Sequence, residues 1–195
     1  IDEIEIRGDL DRISRWGNNG YSLKWSKQWN PKFFNNINIS YSEYYNYQDD
    51  SYFVNAIIPE LDSTIFDFSV ILDQDNKVED FTARYDAELL SGKNNKLEFG
   101  LEFTKSDIHY LFVRDDTISI IDNTQLSDLY SAYVSYNLTS VKNLNLKLGL
   151  RASRYELTKK NYFVPRFQLD YEFVKNVKIK LGSGVHNQFV KHIIG

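Results

Sequence analysis

Strict alternation of apolar and polar residues, over segments of roughly ten residues, constrains this chain more than any other feature. Leu144, Leu146, Leu148 and Leu150 alternate with Asn145, Lys147, Gly149 and Arg151. Phe163, Pro165, Phe167, Leu169, Tyr171 and Phe173 alternate with Val164, Arg166, Gln168, Asp170 and Glu172. Successive side chains of a strand point to opposite faces, so each segment reads as a strand with one wet face and one oily face. Many such strands, each followed by a turn, form the pattern of an all-β, antiparallel transmembrane β-barrel, which turns its apolar face to lipid and its polar face to a lumen.

Composition is compatible with this. Mean hydropathy is −0.46, which for a helical protein would read as water-soluble. In a barrel only alternate residues meet lipid, so the mean stays low. No run of apolar residues is long enough for a helical span. The absence of Cys removes disulfides and thiolate metal sites. A net charge of −4 with both signs interspersed argues against a nucleic-acid binder, which would carry a basic stripe. The sequence opens on Ile1 without a basic and then apolar leader, so a mature chain or a fragment is expected, and the fragment is favoured.

Along the chain, a short alternating piece lies within residues 1–16, followed by the turn signal Gly17, Asn18, Asn19 and Gly20. Strands are expected over about 21–29, 33–47, 78–90, 95–112 and 126–138, then around Leu144 and Phe163, and over about 177–189. Residues 48–77 read as a long loop with a secondary hairpin arm at 64–72, and residues 113–125 and 157–161 as further loops. The connections near 30–32, 91–94, 139–143 and 174–176 are short. Short turns alternating with longer connections is the layout of an outer-membrane barrel, with the short side periplasmic. Aromatics near strand ends (Tyr21, Trp25, Trp29, Tyr45, Tyr47, Tyr171 and Phe173) fit interfacial girdles.

A sheet in hydrocarbon must close, because unpaired N–H and C=O groups are too costly there. Eight strands could close a small barrel. The many Lys, Arg, Asp and Glu on the polar face favour a wide barrel, where they meet water or a plug at little desolvation cost.

Four stretches carry a family resemblance. They are 17–29 (GNNGYSLKWSKQW) with its NPK turn and the strand NINISYSEYY; 95–110 (NKLEFGLEFTKSDIHY); 129–154 (LYSAYVSYNLTSVKNLNLKLGLRASR); and 164–190, where VPRFQLDYEF leads to GVHNQFV. In this order, each with its turn, they resemble the barrel domain of TonB-dependent outer-membrane transporters, particularly those of Bacteroidota. The resemblance implies a barrel of roughly 22 strands around an N-terminal plug. The expected fold is then about eight to nine meander strands of that larger barrel, with residues 1–195 part of one domain and the plug and remaining strands absent. The chain ends at Gly195 without the terminal aromatic such barrels present for assembly, which fits a middle segment. The implied location is the outer membrane of a Gram-negative bacterium. The implied partners are outer-membrane lipid, the protein's own plug, the TonB complex through the missing N-terminal part and, as a further candidate, a surface lipoprotein. No cofactor, nucleic acid or enzymatic activity is expected.

Site residues follow from the two faces. Arg84, Asp86, Glu88, Glu98, Glu102, Lys147, Arg151, Arg166, Asp170, Glu172, Lys178 and Lys180 should face the lumen, where they hold the plug or line a solute path. The plainer reading is a wet wall of ion pairs worth about 0–1 kcal/mol each. Leu97, Phe99, Leu101, Leu144, Leu146, Leu148, Leu150, Phe167, Leu169, Ile179 and Leu181 should face lipid. In the expected loop 48–77, Tyr52, Phe53 and Phe66, beside Ile57, Ile58 and Pro59, are candidates for ligand contact or for packing the loop down. His109, His186 and His192 show no metal-ligand spacing. His186 with Asn187 brings a barrel hydrolase to mind, but no nucleophile is placed beside them. Asp73, Asp75, Asn76 and Asp80 lack the Gly and terminal Glu of a calcium loop. The sequons at Asn38 and Asn137 fall on expected strands and read as chance. The rival readings are a complete eight-stranded anchor or adhesin, a barrel lipase, acyltransferase or protease, and a soluble β-sandwich.

Overall fold

The computed structural model describes residues 5–58, 63–92, 94–115, 117–175 and 177–187. Eight strands follow in chain order: β1 (Glu5–Asn30), β2 (Phe33–Ile58), β3 (Ser63–Ser91), β4 (Asn95–Arg114), β5 (Ile118–Leu138), β6 (Leu144–Tyr155), β7 (Lys160–Val174) and β8 (Val177–Gly184). They form one sheet in which every strand neighbours the next, β1 to β8. Among the described residues there is no helix.

The short turns sit where the sequence places them. Their tight reversals use left-handed backbone at Gly92, Asn94 and Asn143, and Gly and Asn adopt that region at least cost. At the first turn the Asn30 side chain accepts from the N–H of Lys32 and of Phe33, at 2.9 and 3.0 Å.

Two of the expected loops are corrected. Residues 48–77 are mostly strand: β2 continues to Ile58 and β3 begins at Ser63, so Tyr52, Phe53 and Phe66 lie on strands. Pro59 lies outside the described residues, and so does the side chain of Ile58. In place of the loop 113–125, β5 starts at Ile118, whereas the connection expected at 157–161 is present as a turn over 156–159 between β6 and β7. Where both faces of a strand meet water, backbone pairing alone sustains it and alternation is not required. The period-two signal therefore fades while the strand goes on. The turn expected at Gly17–Gly20 is also absent, since β1 runs straight through it. Its apolar positions change phase there, from Ile6, Leu10 and Trp16 to Tyr21, Leu23 and Trp25, which mimics a hairpin. Gly17 serves spacing instead: a Cβ there would stand 2.5 Å from Cζ of Tyr45.

The chain divides into two compact units. The first comprises Ile1–Gly20, Ser42–Glu79 and Asp107–Gln125; the second comprises Tyr21–Tyr41, Asp80–Ser106 and Leu126–Gly195. In the second unit the antiparallel register is regular. β5 and β6 pair Ala132 with Ala152 and Tyr133 with Arg151. β6 and β7 pair Leu148 with Phe167 and Lys147 with Gln168. β7 and β8 pair Leu169 with Leu181 and Asp170 with Lys180, with an irregularity near Glu172 and Val174. Like thus faces like across three strand pairs, as the alternation requires.

Burial is inverted relative to a soluble sheet. Leu101 is 61 % exposed, Leu181 53 % and Leu148 47 %. On the opposite face the carboxylates of Asp86 and Glu98 are each 18 % exposed. Two apolar side chains on the polar-face parity, Tyr155 and Val164, are buried.

Candidate functional site

The polar face of β3 to β6 carries a ladder of charge built from two four-membered chains. Arg84 Nε lies 2.9 Å from Asp86, and its Nη1 3.5 Å from Glu102. Glu102 also receives Arg151. Glu98 takes Lys96 at 2.5 Å and Lys147 at 2.8 Å, and Lys96 reaches on to Glu88 at 3.3 Å. Arg84 to Glu102 and Lys96 to Glu88 join the adjacent strands β3 and β4, whereas Lys147 to Glu98 and Arg151 to Glu102 reach from β6 over β5 to β4. Eight charges, four of each sign, are thereby paired within the wall.

Tyr133 on β5 completes the ladder by crossing a strand. Its hydroxyl donates to Asp86 on β3 at 2.5 Å, passing over β4 at Gly100. A Cβ on Gly100 would meet Tyr133 Cε1 and the Tyr85 carbonyl, each at 2.5 Å. Only glycine leaves the slot in which the ring lies. Below the ladder Ser131 and Ser153 share a buried hydrogen bond of 2.8 Å. The sequence reading missed Tyr133 because it followed only the apolar set of that strand; the polar parity of residue 133 and a Gly on the neighbouring strand were the available signals.

A hollow of about 840 Å3 lies against this face, reached by Arg84, Glu98, Lys147, Arg151, Arg166 and His186. Eleven of the twelve charged residues singled out in the sequence fall in two groups: the ladder, with Glu88 at its end, and the β7–β8 register that pairs Asp170 with Lys180 and Glu172 with Lys178. The twelfth is Arg166, opposite Gly184. The Leu97, Phe99, Leu144 and Leu146 positions share the opposite parity with Phe167, Ile179, Leu150 and the exposed leucines. At the short-turn end of that face Trp29 donates from Nε1 to the buried Asn35 at 2.8 Å, Trp25 meets Trp29 edge-on at 6.4 Å, and Tyr171 meets Phe173 at 6.4 Å.

The first unit holds portions of β1 to β5. Arg12 binds Asp50 with its Nε at 2.6 Å and its Nη2 at 3.0 Å. That hydrogen-bonded pairing, with a further donor from Gln48, holds the Asp50 carboxyl below the usual aspartate range. Tyr47 donates to Asp73 at 3.2 Å, and Lys77 bridges Glu43 and Glu79 at 3.4 and 3.2 Å. Phe66 stacks on Phe68 at 6.3 Å with both rings about half exposed, and Phe53 is 47 % exposed. His109 lies 3.5 Å from Asp122, and His192 lies outside the described residues. Among the described residues no group of His, Cys, Asp and Glu converges as metal ligands.

The family model described as "TonB dependent receptor-like, beta-barrel" matches residues 4–185. Solved structures share the fold at low identity. The siderophore receptor PirA from Pseudomonas aeruginosa aligns with TM-score 0.50 and 14 % identity over 87 % of this chain and 33 % of its own. The ferric enterobactin receptor PfeA of the same organism aligns with TM-score 0.50 and 11 % identity over 88 % and 33 %. PirA from Acinetobacter baumannii aligns with TM-score 0.49 and 13 % identity over 88 % and 33 %. The chain thus spans about a third of the length of these structures. A comparison with curated proteins finds no match.

Proposed function

The chain belongs to the TonB-dependent receptor β-barrel family, and from that membership we propose that it forms part of the barrel wall of an active transporter, of the Bacteroidota type, in the outer membrane of a Gram-negative bacterium. The solute is a scarce nutrient such as a siderophore, glycan, peptide or vitamin. Energy arrives from the TonB complex through a plug that the wall encloses, and the wall performs no chemistry on the solute.

One observation carries the reading. The carboxylates of Asp86, Glu98 and Glu102 are sheltered and paired on the charged face, whereas Leu101, Leu148 and Leu181 on the other face are about half exposed or more. Water would reverse that choice, and a bilayer on one side with a filled lumen on the other enforces it. Strand length adds support. Crossing a bilayer takes about 9–11 residues of tilted strand, and β1, β2 and β3 have 26, 26 and 29. Their surplus suits a surface that reaches outward to meet solute and, on that surface, Phe53, Phe66 and Phe68 offer aromatic contacts.

The complete eight-stranded barrel is disfavoured by topology. β1 and β8 stand at opposite ends of the strand order, so their outer N–H and C=O groups need partners that lipid does not supply. Flanking strands of a wider barrel supply them.

The test compares Leu148→Arg with Lys147→Leu in the complete protein, with assembly read from heat-modifiable gel migration. Arg at a lipid-facing midplane position costs about 2–4 kcal/mol, so the first change should abolish most assembly. The second removes one rung of a solvated ladder and should cost under about 1 kcal/mol. Equal effects would mean that the faces are assigned the wrong way round.

A further inference from the structure

We propose that the lipid-facing side of this wall holds one particular lipid, an anionic phosphate-bearing one, with an acyl chain lying in a trough across β3 to β7 and its headgroup at Arg154. The proposal rests on the lipid-facing reading above and goes beyond it. A groove of about 600 Å3 is sunk into the apolar face of the second unit, with Ala83, Ala132 and Ala152 among its lining. Ala132 and Ala152 are direct partners across β5 and β6, and Phe163 follows on β7. Around these small side chains larger ones stand up: Leu101 at 61 %, Tyr130 at 47 % and Phe163 at 65 % exposure. Phe103 packs on Tyr130 at 5.0 Å and closes one side. The alanines leave a channel because a methyl group cannot reach the height of its neighbours.

The direction of the trough suits a lipid tail. Membrane strands tilt about 45° from the bilayer normal, so a channel crossing them slopes by a similar angle from the interface into the hydrocarbon. Its polar end is defined. In register with Tyr130 comes Arg154, and in register with Arg154 comes Asn161, and both line the groove. Arg154 is one residue from the end of β6, on a face otherwise apolar. It pairs with Glu156 through Nε, but its Nη2 stands 3.5 Å from that carboxylate, the long limit of a hydrogen bond. A phosphate oxygen is a stronger partner for that edge of the guanidinium.

Bulk lipid is as apolar as the trough, so the hydrophobic effect does not select the occupant. Fit along the alanines and charge at Arg154 do. Two kinds of substitution therefore separate the contributions. The complete protein is extracted in mild detergent, exchanged into dimyristoyl phosphatidylglycerol or dimyristoyl phosphatidylcholine, and weighed by native mass spectrometry. The unaltered protein should retain one phosphatidylglycerol in preference to phosphatidylcholine. Ala132→Leu and Ala152→Leu, which fill the floor, should lower retention of both lipids by at least about fivefold, and Arg154→Gln should erase the preference while retention of phosphatidylcholine stays. Retention unchanged in both alanine variants, with assembly intact, would overturn the trough. So would a second copy of the protein bound at wild type and lost in Ala152→Leu. Failure of the lipid-facing reading itself is distinguishable, because then Leu148→Arg would assemble normally whatever the lipid counts.

Discussion

Gly100 owes its place to what lies over it. With no side chain it lets the ring of Tyr133 pass from β5 across β4, so that a hydroxyl reaches a carboxylate two strands away. Gly17 makes the same kind of room for Tyr45, a pairing of glycine and aromatic that pins register. Gly100→Ala should lower the urea midpoint of the assembled protein by the equivalent of about 1–3 kcal/mol. Removing the ring would relieve only part of this, since the Tyr85 carbonyl obstructs the new methyl as closely. Tyr133→Phe keeps the packing and deletes the donor, at a cost of about 1–2 kcal/mol. If both variants unfold at the wild-type midpoint, the crossing contact contributes nothing.

Single strands show how far the sequence could be followed. Parity alone puts Leu144 to Arg151 on alternate faces, and the register of β6 sets Leu148 beside Tyr136 and Phe167, and Lys147 beside Asn137 and Gln168. The absence of native cysteine permits a clean scan: cysteines at Lys147, Gly149 and Arg151 should react with a charged maleimide, and those at Leu146, Leu148 and Leu150 should resist it. Uniform labelling would refute a two-sided strand. On the proposed reading residues 48–77 lie beyond the bilayer, where neither face has to be oily, so nothing in the pattern distinguishes the long hairpin of β2 and β3 from a loop. The pair Arg12 and Asp50 was equally hidden, since it joins β1 to the part of β2 beyond residue 47. That pair makes this stretch of β1 and β2 acid-sensitive. The carboxyl titrates below its unfolded value, so its stabilisation is complete above the ordinary aspartate range, near pH 4, and is lost as pH falls through the depressed folded value. Amide exchange around residues 12 and 50 should quicken, relative to intrinsic rates, on acidification past that point, and Asp50→Asn should flatten the dependence; a profile shared by both proteins would exclude Asp50 as the cause.

For the molecule as a whole, the strand order sets the strongest demand. A sheet with two open margins in a membrane needs neighbours on each side. Refolded alone in detergent, this chain should self-associate through β1 and β8, while the complete protein remains monodisperse, as read by light scattering on a sizing column. A monodisperse monomer of the isolated chain would mean that its margins close on each other. The charge ladder has its own consequence at this scale. Four cations and four anions neutralise one another within a few ångströms, and water screens whatever remains over about 8–10 Å. An ion beside such a face feels texture but no net pull, so in the proposed transporter this stretch of the perimeter would sort nothing by sign, and any preference for charge would be exercised elsewhere.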